Sequence, residues 1–234
     1  MSLLIYPDRT ESGVENMATD WWLFKNSNHP SIRHYKWIKE VVSFGYGQDW
    51  RWVEQKTGES INDMIRRPTG GGIVKHGHDW TYSVVLPKEH LSIKISPLDL
   101  YKGMHESIGA ALREQNIDSH LQPCPSRKEK VIPGDCFLEP VGWDLIDQST
   151  GYKIAGAAMK RSREGMLIQG TVAVQKNWNL KSGKFYDSII YTFCNFLGET
   201  KISPQEWPTD FLELRENFKK TFSNLSWKRD RKNS

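Results

Sequence analysis

Apolar residues recur at helical spacing in several stretches of the chain. In SGVENMATDWWLFKN they fall every three to four positions from Val14 to Phe24, and Ser12 followed by Glu15 has the spacing of an N-terminal capping box. The segment PLDLYKGMHESIGAALREQN has the same rhythm, with Pro97 near its start. The pattern therefore predicts two amphipathic helices here, and two closing helices near Phe185 to Leu197 and near Asp210 to Phe222.

Strand-like patterns lie between the predicted helices. SIRHYKWI alternates between apolar and polar residues, and EVVSFGY is a short apolar run. Residues Asn62 to Ile65 and Thr81 to Leu86 are expected to be strands on either side of a glycine-rich loop. Further strands are predicted at WDLID, YKIAGAAMKR and MLIQGTVAV. Because helices and strands mix without a regular βαβ alternation, the predicted fold class is α+β, with a mixed, mainly antiparallel sheet flanked by helices.

Length and composition narrow the class of protein. The 234 residues suit one domain over 1–234, with 175–234 as a helical extension of it. No apolar run approaches the roughly 20 residues of a membrane span, and no secretory signal is visible, so a soluble cytoplasmic protein with no membrane partner is expected. Three scattered cysteines indicate no disulfide framework. The net charge of +4 is modest, and the sequence predicts no nucleic-acid partner.

The segment RRPTGGGIVKHG combines fixed charge with bare backbone. Gly70, Gly71 and Gly72 can present N–H groups to an anion while Arg66 or Arg67 supplies positive charge. The spacings of the P-loop and of the dinucleotide-binding fingerprint are both absent. Composition alone leaves open a hairpin connection with arginines on its rim.

Two further residues are candidates for chemistry. Lys153, in GYKIAGAAMKR, is either a surface residue, which burial statistics favour, or a buried cation that serves an acyl or phosphoryl oxygen. Gly156 leaves room beside it for a narrow substrate slot. Cys136, in PGDCFLEP, is either a reactive thiol in a loop or a packing residue. The close pair His76 and His78 lacks further ligands at metal-binding spacing, so no metal site is predicted.

Four segments together resemble the superfamily of lipoate–protein ligases, octanoyltransferases and biotin-ligase catalytic domains. They are ENMATD, SFGYGQ, RRPTGGGIVKHGHDWTYSV and GYKIAGAAMKRSREGMLIQGTV, and they cover approximately Glu15 to Val174. The resemblance implies an α+β domain that holds a linear acyl chain in a tunnel and attaches it to a lysine of a carrier domain. It implies catalytic roles for Cys136 and Lys153. The substrate-binding residues expected on this basis are Arg66, Arg67, Gly70, Gly71, Gly72, His76 and Gly156.

The resemblance leaves the activation route open. Octanoyltransferases of one group use a cysteine in a local context like Cys136-Phe137 to take octanoate from acyl carrier protein, and this route is favoured. ATP-dependent lipoate ligation with Mg is the alternative, which Gly72 supports because those transferases typically carry arginine there. Only Asp144 could be a remnant of the ligases' Asn-Asp pair, and only about 60 residues follow Val174, too few for an accessory domain. A non-catalytic lipoyl-domain binding protein is the third possibility.

The same resemblance implies the molecules that the chain works with. Lipoate or an octanoyl group is the expected substrate, and no tightly bound cofactor is expected. The acceptor is a lipoyl carrier domain, either a dehydrogenase-complex subunit or the glycine cleavage carrier protein. Acyl carrier protein is the expected donor in the cysteine route.

Overall fold

The structure, a computed structural model, describes residues 2–124, 142–175 and 178–232. Nine of the described strands form a large mixed sheet, and three form a small sheet beside it. The strands are β1 (Ser2–Tyr6), β2 (Thr10–Glu11), β3 (Ser31–Trp37), β4 (Val41–Phe44), β5 (Ile65–Arg66), β6 (Val74–His76), β7 (Trp80–Pro87), β8 (Ser119–Leu121), β9 (Leu145–Asp147), β10 (Lys153–Ser162), β11 (Gly165–Val172) and β12 (Lys201–Pro204). The helices are α1 (Gly13–Asn26), α2 (Trp50–Thr57), α3 (Pro97–Arg113), α4 (Ser182–Phe196), α5 (Phe211–Ser223) and α6 (Leu225–Asp230), with a 3₁₀ helix at Leu91–Lys94.

The large sheet has the strand order β12-β1-β3-β7-β11-β10-β9-β8, and β2 pairs with β3. Its centre is antiparallel, because β3, β7, β11 and β10 are paired in that way, and β1 pairs in parallel with both β3 and β12. The small sheet has the order β5-β4-β6. The predicted α+β class with a mainly antiparallel sheet and flanking helices is confirmed.

Helix α1 begins where the capping box predicts. The Ser12 side chain accepts from the Glu15 backbone N–H, and the Glu15 carboxylate accepts from the Ser12 backbone N–H at 3.1 Å. These bonds satisfy backbone donors that an uncapped helix would leave unpaired.

The apolar core has two sides. On one face of the large sheet, α3 and α4 cover a cluster that includes Tyr82, Ile108 and Ile168, all buried. On the other face, α1 packs with α5, where Arg215 donates to the Glu11 carboxylate at 2.6 Å. A separate apolar cluster joins α2 to the small sheet.

Several predicted boundaries need correction. Asn62 and Asp63 lie in a turn, and β5 begins only at Ile65. Helix α2 has one buried residue, Val53, so its sequence lacked an apolar stripe that could reveal it. In the described part of the chain, no helix has the length and apolar character needed to cross a membrane.

Candidate functional site

A narrow cleft lies between the large sheet and the glycine loop, residues 68–73. Strands β10 and β11 form one wall, and β3, β7, α1, the small sheet, Arg67 and the glycine loop contribute the rest. The lining residues are Met17, Tyr35, Trp37, Arg67, Gly71, Val74, His76, Thr81, Gly156, Ala157, Ala158, Gln169, Gly170 and Thr171.

The glycine loop lies close against two neighbouring segments. Gly71 has a φ of +84°, a left-handed conformation that favours glycine, and a Cβ there would lie 3.2 Å from that of Ala158 across the cleft. On the outer side, a Cβ on Gly45 would meet the Gly71 carbonyl oxygen at 2.0 Å. Gly45 of SFGYGQ and Gly71 of RRPTGGGIVKHG therefore let the loop lie between β4 and β10.

Arg67 and His76 line the cleft and are linked through Ser43. Arg67 donates to Ser43 Oγ at 2.6 Å and to the Gly72 carbonyl at 2.6 Å. His76 Nε2 lies 2.7 Å from Ser43 Oγ, and its Nδ1 lies 2.7 Å from Asp79 Oδ2. Because a carboxylate only accepts, the Nδ1–H of His76 donates to Asp79, and Ser43 Oγ accepts from Arg67. The arrangement holds the imidazole flat against the ring of Trp37, with centroids 4.1 Å apart.

Arg66 is expected to bind substrate, and the structure shows what its side chain contacts within the protein. Its guanidinium is buried and donates to backbone carbonyls, including those of Tyr46 at 2.6 Å, Gln48 at 2.9 Å and Lys228 at 2.7 Å. Burial lowers its pKa to about 10. Arg66 joins the loop after β4 to α6, and its guanidinium is not part of the cleft lining. These contacts give Arg66 a structural role, and its binding of substrate stays a prediction.

Lys153 is buried, so the surface interpretation that burial statistics favoured is wrong. Its ammonium lies 2.7 Å from Asp144 Oδ2, and the side chains are 3% and 0% exposed respectively. A Cβ on Gly156 would lie 2.7 Å from Lys153 Nζ, and Gly156 lines the cleft. The lysine therefore lies beside the cleft, in space that a side chain at position 156 would share. Asp144 also accepts from the Tyr101 hydroxyl through its other oxygen.

Besides the Lys153 and Asp144 pair, the structure shows a buried polar cluster around Asp20 beside the cleft, which sequence patterns did not reveal. Asp20 of α1 accepts from Arg33 Nε at 2.8 Å, from Ser83 at 2.6 Å and from Gln169 at 2.6 Å. Gln169 also accepts from Thr69 of the glycine loop at 2.8 Å. The cluster ties α1 and the loop to the central strands. Asp20 is the last residue of ENMATD, one of the segments that carry the family resemblance. That membership was the sequence signal that could have singled it out.

The structure describes some of the remaining predicted residues and not others. Gly70 and Gly72 provide carbonyl oxygens to Arg67, so both lie beside the cleft-lining arginine. His78 is exposed. Cys136 lies outside the described residues. Within residues 2–124, 142–175 and 178–232, no three His, Cys, Asp or Glu side chains group as a metal site would require.

Asp79 should make the stability of this site depend on pH. Burial alone raises the pKa of Asp79, but pairing with His76 and bonds from Thr171 and the Gly77 N–H outweigh it and hold that pKa well below its usual range. A lowered folded-state pKa stabilises the fold above the ordinary value of about 3.9, and the stabilisation is lost as the pH falls. Asp79→Asn is therefore expected to lower the free energy of unfolding by about 1–3 kcal/mol at pH 7 and by less at pH 3.

Urea unfolding between pH 7 and pH 3 measures this dependence. Asp187→Asn, at an exposed carboxylate on α4, is the matched control and should leave the pH dependence unchanged. An equal loss of stability at both pH values in Asp79→Asn would contradict the assignment.

Comparisons with known proteins show which sequences and folds are similar to this chain. A model of the family described as "Lipoyl protein ligase A/B catalytic domain" matches residues 12–190. The octanoyltransferase LipM of Bacillus subtilis is 28% identical over 189 residues, which cover 75% of this chain and 65% of that protein. The chain thus spans less than two thirds of this relative's length.

Solved structures share the fold over almost the whole chain. A bipartite lipoate protein ligase of Thermoplasma acidophilum, studied with its E2 lipoyl domain, aligns with a TM-score of 0.69 and 19% identity, over 97% of this chain and 96% of that one. A lipoate-protein ligase A bound with ATP aligns with a TM-score of 0.71 and 20% identity, over 97% and 98%. At this level of identity the likeness establishes the fold.

Proposed function

Because this chain belongs to the lipoyl protein ligase A/B catalytic-domain family, we propose that it transfers an octanoyl or lipoyl group to a lysine of a lipoyl carrier domain. The observation that carries the proposal is the buried ammonium of Lys153 beside Gly156, at the edge of a cleft lined by Trp37 and Val74. An apolar chain in the cleft would place its carbonyl end near a fixed cation.

The chemistry of amide formation explains the need for that cation. A free carboxylate has a poor leaving group, so the acyl group must arrive as a thioester or an adenylate. Attack on either places negative charge on the acyl oxygen. Lys153 stabilises this charge, and backbone N–H groups of the glycine loop add to it.

We favour transfer through Cys136, since the similar curated proteins are octanoyltransferases. In this route the Cys136 thiolate attacks the octanoyl thioester of a carrier protein, a new C–S bond forms, and the carrier leaves as its thiol after taking up a proton. The amine of the acceptor lysine then attacks the acyl-enzyme. The amide bond forms, the amine loses a proton, and Cys136 is released.

ATP-dependent ligation is the second candidate, which Gly72 supports. In that route the carboxylate of free lipoate would attack the α-phosphate of ATP in the presence of Mg, which would form an acyl-adenylate and release pyrophosphate. Cys136 would have no covalent role. Lys153 would serve the same acyl oxygen in either route.

Intact-mass measurements on the acceptor domain test the proposal. The lipoyl domain is incubated with the protein and octanoyl carrier protein without ATP, and separately with lipoate, ATP and Mg. Gain of one octanoyl group in the first mixture supports transfer, whereas gain of one lipoyl group in the second alone supports ligation. A stable complex without any mass gain would support a binding protein and contradict the enzymatic proposal.

We also propose that residues 175–234 belong to the same domain as the site. Two contacts support this: Arg215 of α5 pairs with Glu11, and the backbone of α6 accepts from Arg66. Both bonds are buried and join distant parts of the sequence.

Gly71→Val should weaken binding of the acyl donor. Valine is strained at a φ of +84°, and its side chain would enter the gap to Ala158. Strain of this kind costs about 1–3 kcal/mol, so a KM about 10-fold higher or more is expected in steady-state transfer assays. Gly183→Val on α4, where a Cβ would meet no atom within 4 Å, is the control. An unchanged KM in a folded Gly71→Val protein would argue against the loop as a cover of the cleft.

A further inference from the structure

Tyr101 connects three elements beside Lys153. It lies on α3, and its ring packs edge-on against His105 with centroids 4.2 Å apart. Its hydroxyl contacts Asp144, in the segment before β9, and the Ala157 backbone N–H of β10 at 3.2 Å. A carboxylate can only accept, so the hydroxyl donates to Asp144 and accepts from Ala157.

The two oxygens of Asp144 have different partners. Oδ1 accepts from Tyr101, and Oδ2 pairs with Lys153 at 2.7 Å. Both charged side chains are out of water, and the geometry of such a pair depends strongly on the hydrogen bonds that complete it. Ala157 and Lys153 both belong to β10. The Tyr101 hydroxyl therefore fixes the Asp144 carboxylate relative to the strand that carries the lysine.

We propose that Tyr101 is a positioning residue for Lys153, acting through Asp144. The inference rests on the proposed acyl transfer. As the acyl oxygen gains negative charge, Lys153 must move part of its interaction from Asp144 to that oxygen. The bond from Tyr101 keeps Asp144 in place, so the ammonium of Lys153 stays close to Gly156.

Other titratable groups around Asp144 do not replace this function. Burial, followed by the charge of Lys153, lowers the pKa of His105 to about 3, so its imidazole is neutral near pH 7. Burial, followed by the charge of Asp144, raises the pKa of Tyr82 well above its usual range, so this phenol is neutral as well. Among these groups, Asp144 is the one that carries the charge opposite to that of Lys153.

Tyr101→Phe tests the proposal by removing one oxygen and keeping the ring. Loss of a hydrogen bond to a charged group should lower kcat for octanoyl transfer by about 10-fold, with KM for the donor within about 2-fold of the original protein. Tyr152→Phe, at an exposed tyrosine directly before Lys153, should change none of these values.

A second measurement does not require transfer activity. Acetic anhydride labels free lysine amines, and peptide mass spectrometry gives the rate at Lys153 in each variant. Looser positioning should raise that rate several-fold in Tyr101→Phe but not in Tyr152→Phe, while circular dichroism confirms that both are folded. If the original protein transfers no acyl group, the proposed function fails and the labelling rate decides the role of Tyr101. Unchanged kcat and labelling in folded Tyr101→Phe would overturn the inference, as would unchanged labelling where no transfer occurs.

Discussion

Lys153→Ala is expected to lower acyl transfer by about 100-fold or more, the effect of removing one donor to a developing oxyanion. Both activation routes pass through a negatively charged acyl oxygen, so the loss should appear with octanoyl carrier protein and with lipoate plus ATP alike. The measurement is the initial rate of mass gain on the lipoyl domain. Lys160→Ala is the control, because Lys160 is on the same strand and its ammonium lies 5.0 Å from the centre of the Tyr46 ring.

The change at Lys153 also leaves the buried Asp144 carboxylate without its ammonium, which destabilises a fold by several kcal/mol in comparable cases, roughly 3–5 kcal/mol. Thermal unfolding must therefore accompany the assay. The double variant Lys153→Ala with Asp144→Asn removes both charges and separates loss of the cation from loss of stability. Near-normal transfer by either folded variant would refute the role of Lys153.

Local sequence signals predicted much of the fold. The Ser12 and Glu15 pair predicted the start of α1 because a capping box depends only on residues three apart. The alternation of YKIAGAAMKR predicted β10 for the same local reason. Strands β1 and β12 were missed, since they pair in parallel at the sheet edge and depend on a partner about 200 residues away.

The candidate site was less accessible to sequence reasoning, because its contacts are long-range. The burial of Lys153 could not be decided until the structure showed Asp144 beside it. The two residues lie on either side of the turn between β9 and β10, and no sequence spacing predicts such a pair. Arg66 was assigned to substrate because an arginine beside glycines is typical of an anion site. Its actual partners include the carbonyl of Lys228, 162 residues away, and no local pattern encodes that contact.

Cys136→Ser distinguishes the two enzymatic routes and should abolish transfer if the cysteine forms the acyl-enzyme. The thiolate is the nucleophile in thioester exchange, and a serine hydroxyl is a far weaker one near neutral pH because it remains protonated. In the original protein, incubation with octanoyl carrier protein should add one octanoyl group to the peptide that contains Cys136. Cys136→Ser should lose this adduct and the mass gain on the lipoyl domain together.

The other cysteines provide the controls for that experiment. Cys194 is buried on α4, where burial raises the pKa of its thiol, and Cys124 is exposed. Cys124→Ser and Cys194→Ser should therefore retain both adduct and transfer, which labelling with iodoacetamide alone could not establish because it would also modify Cys124. If Cys136→Ser instead keeps full activity that requires ATP and free lipoate, the thiol has no covalent role, and ligation through an acyl-adenylate replaces transfer as the function of the site.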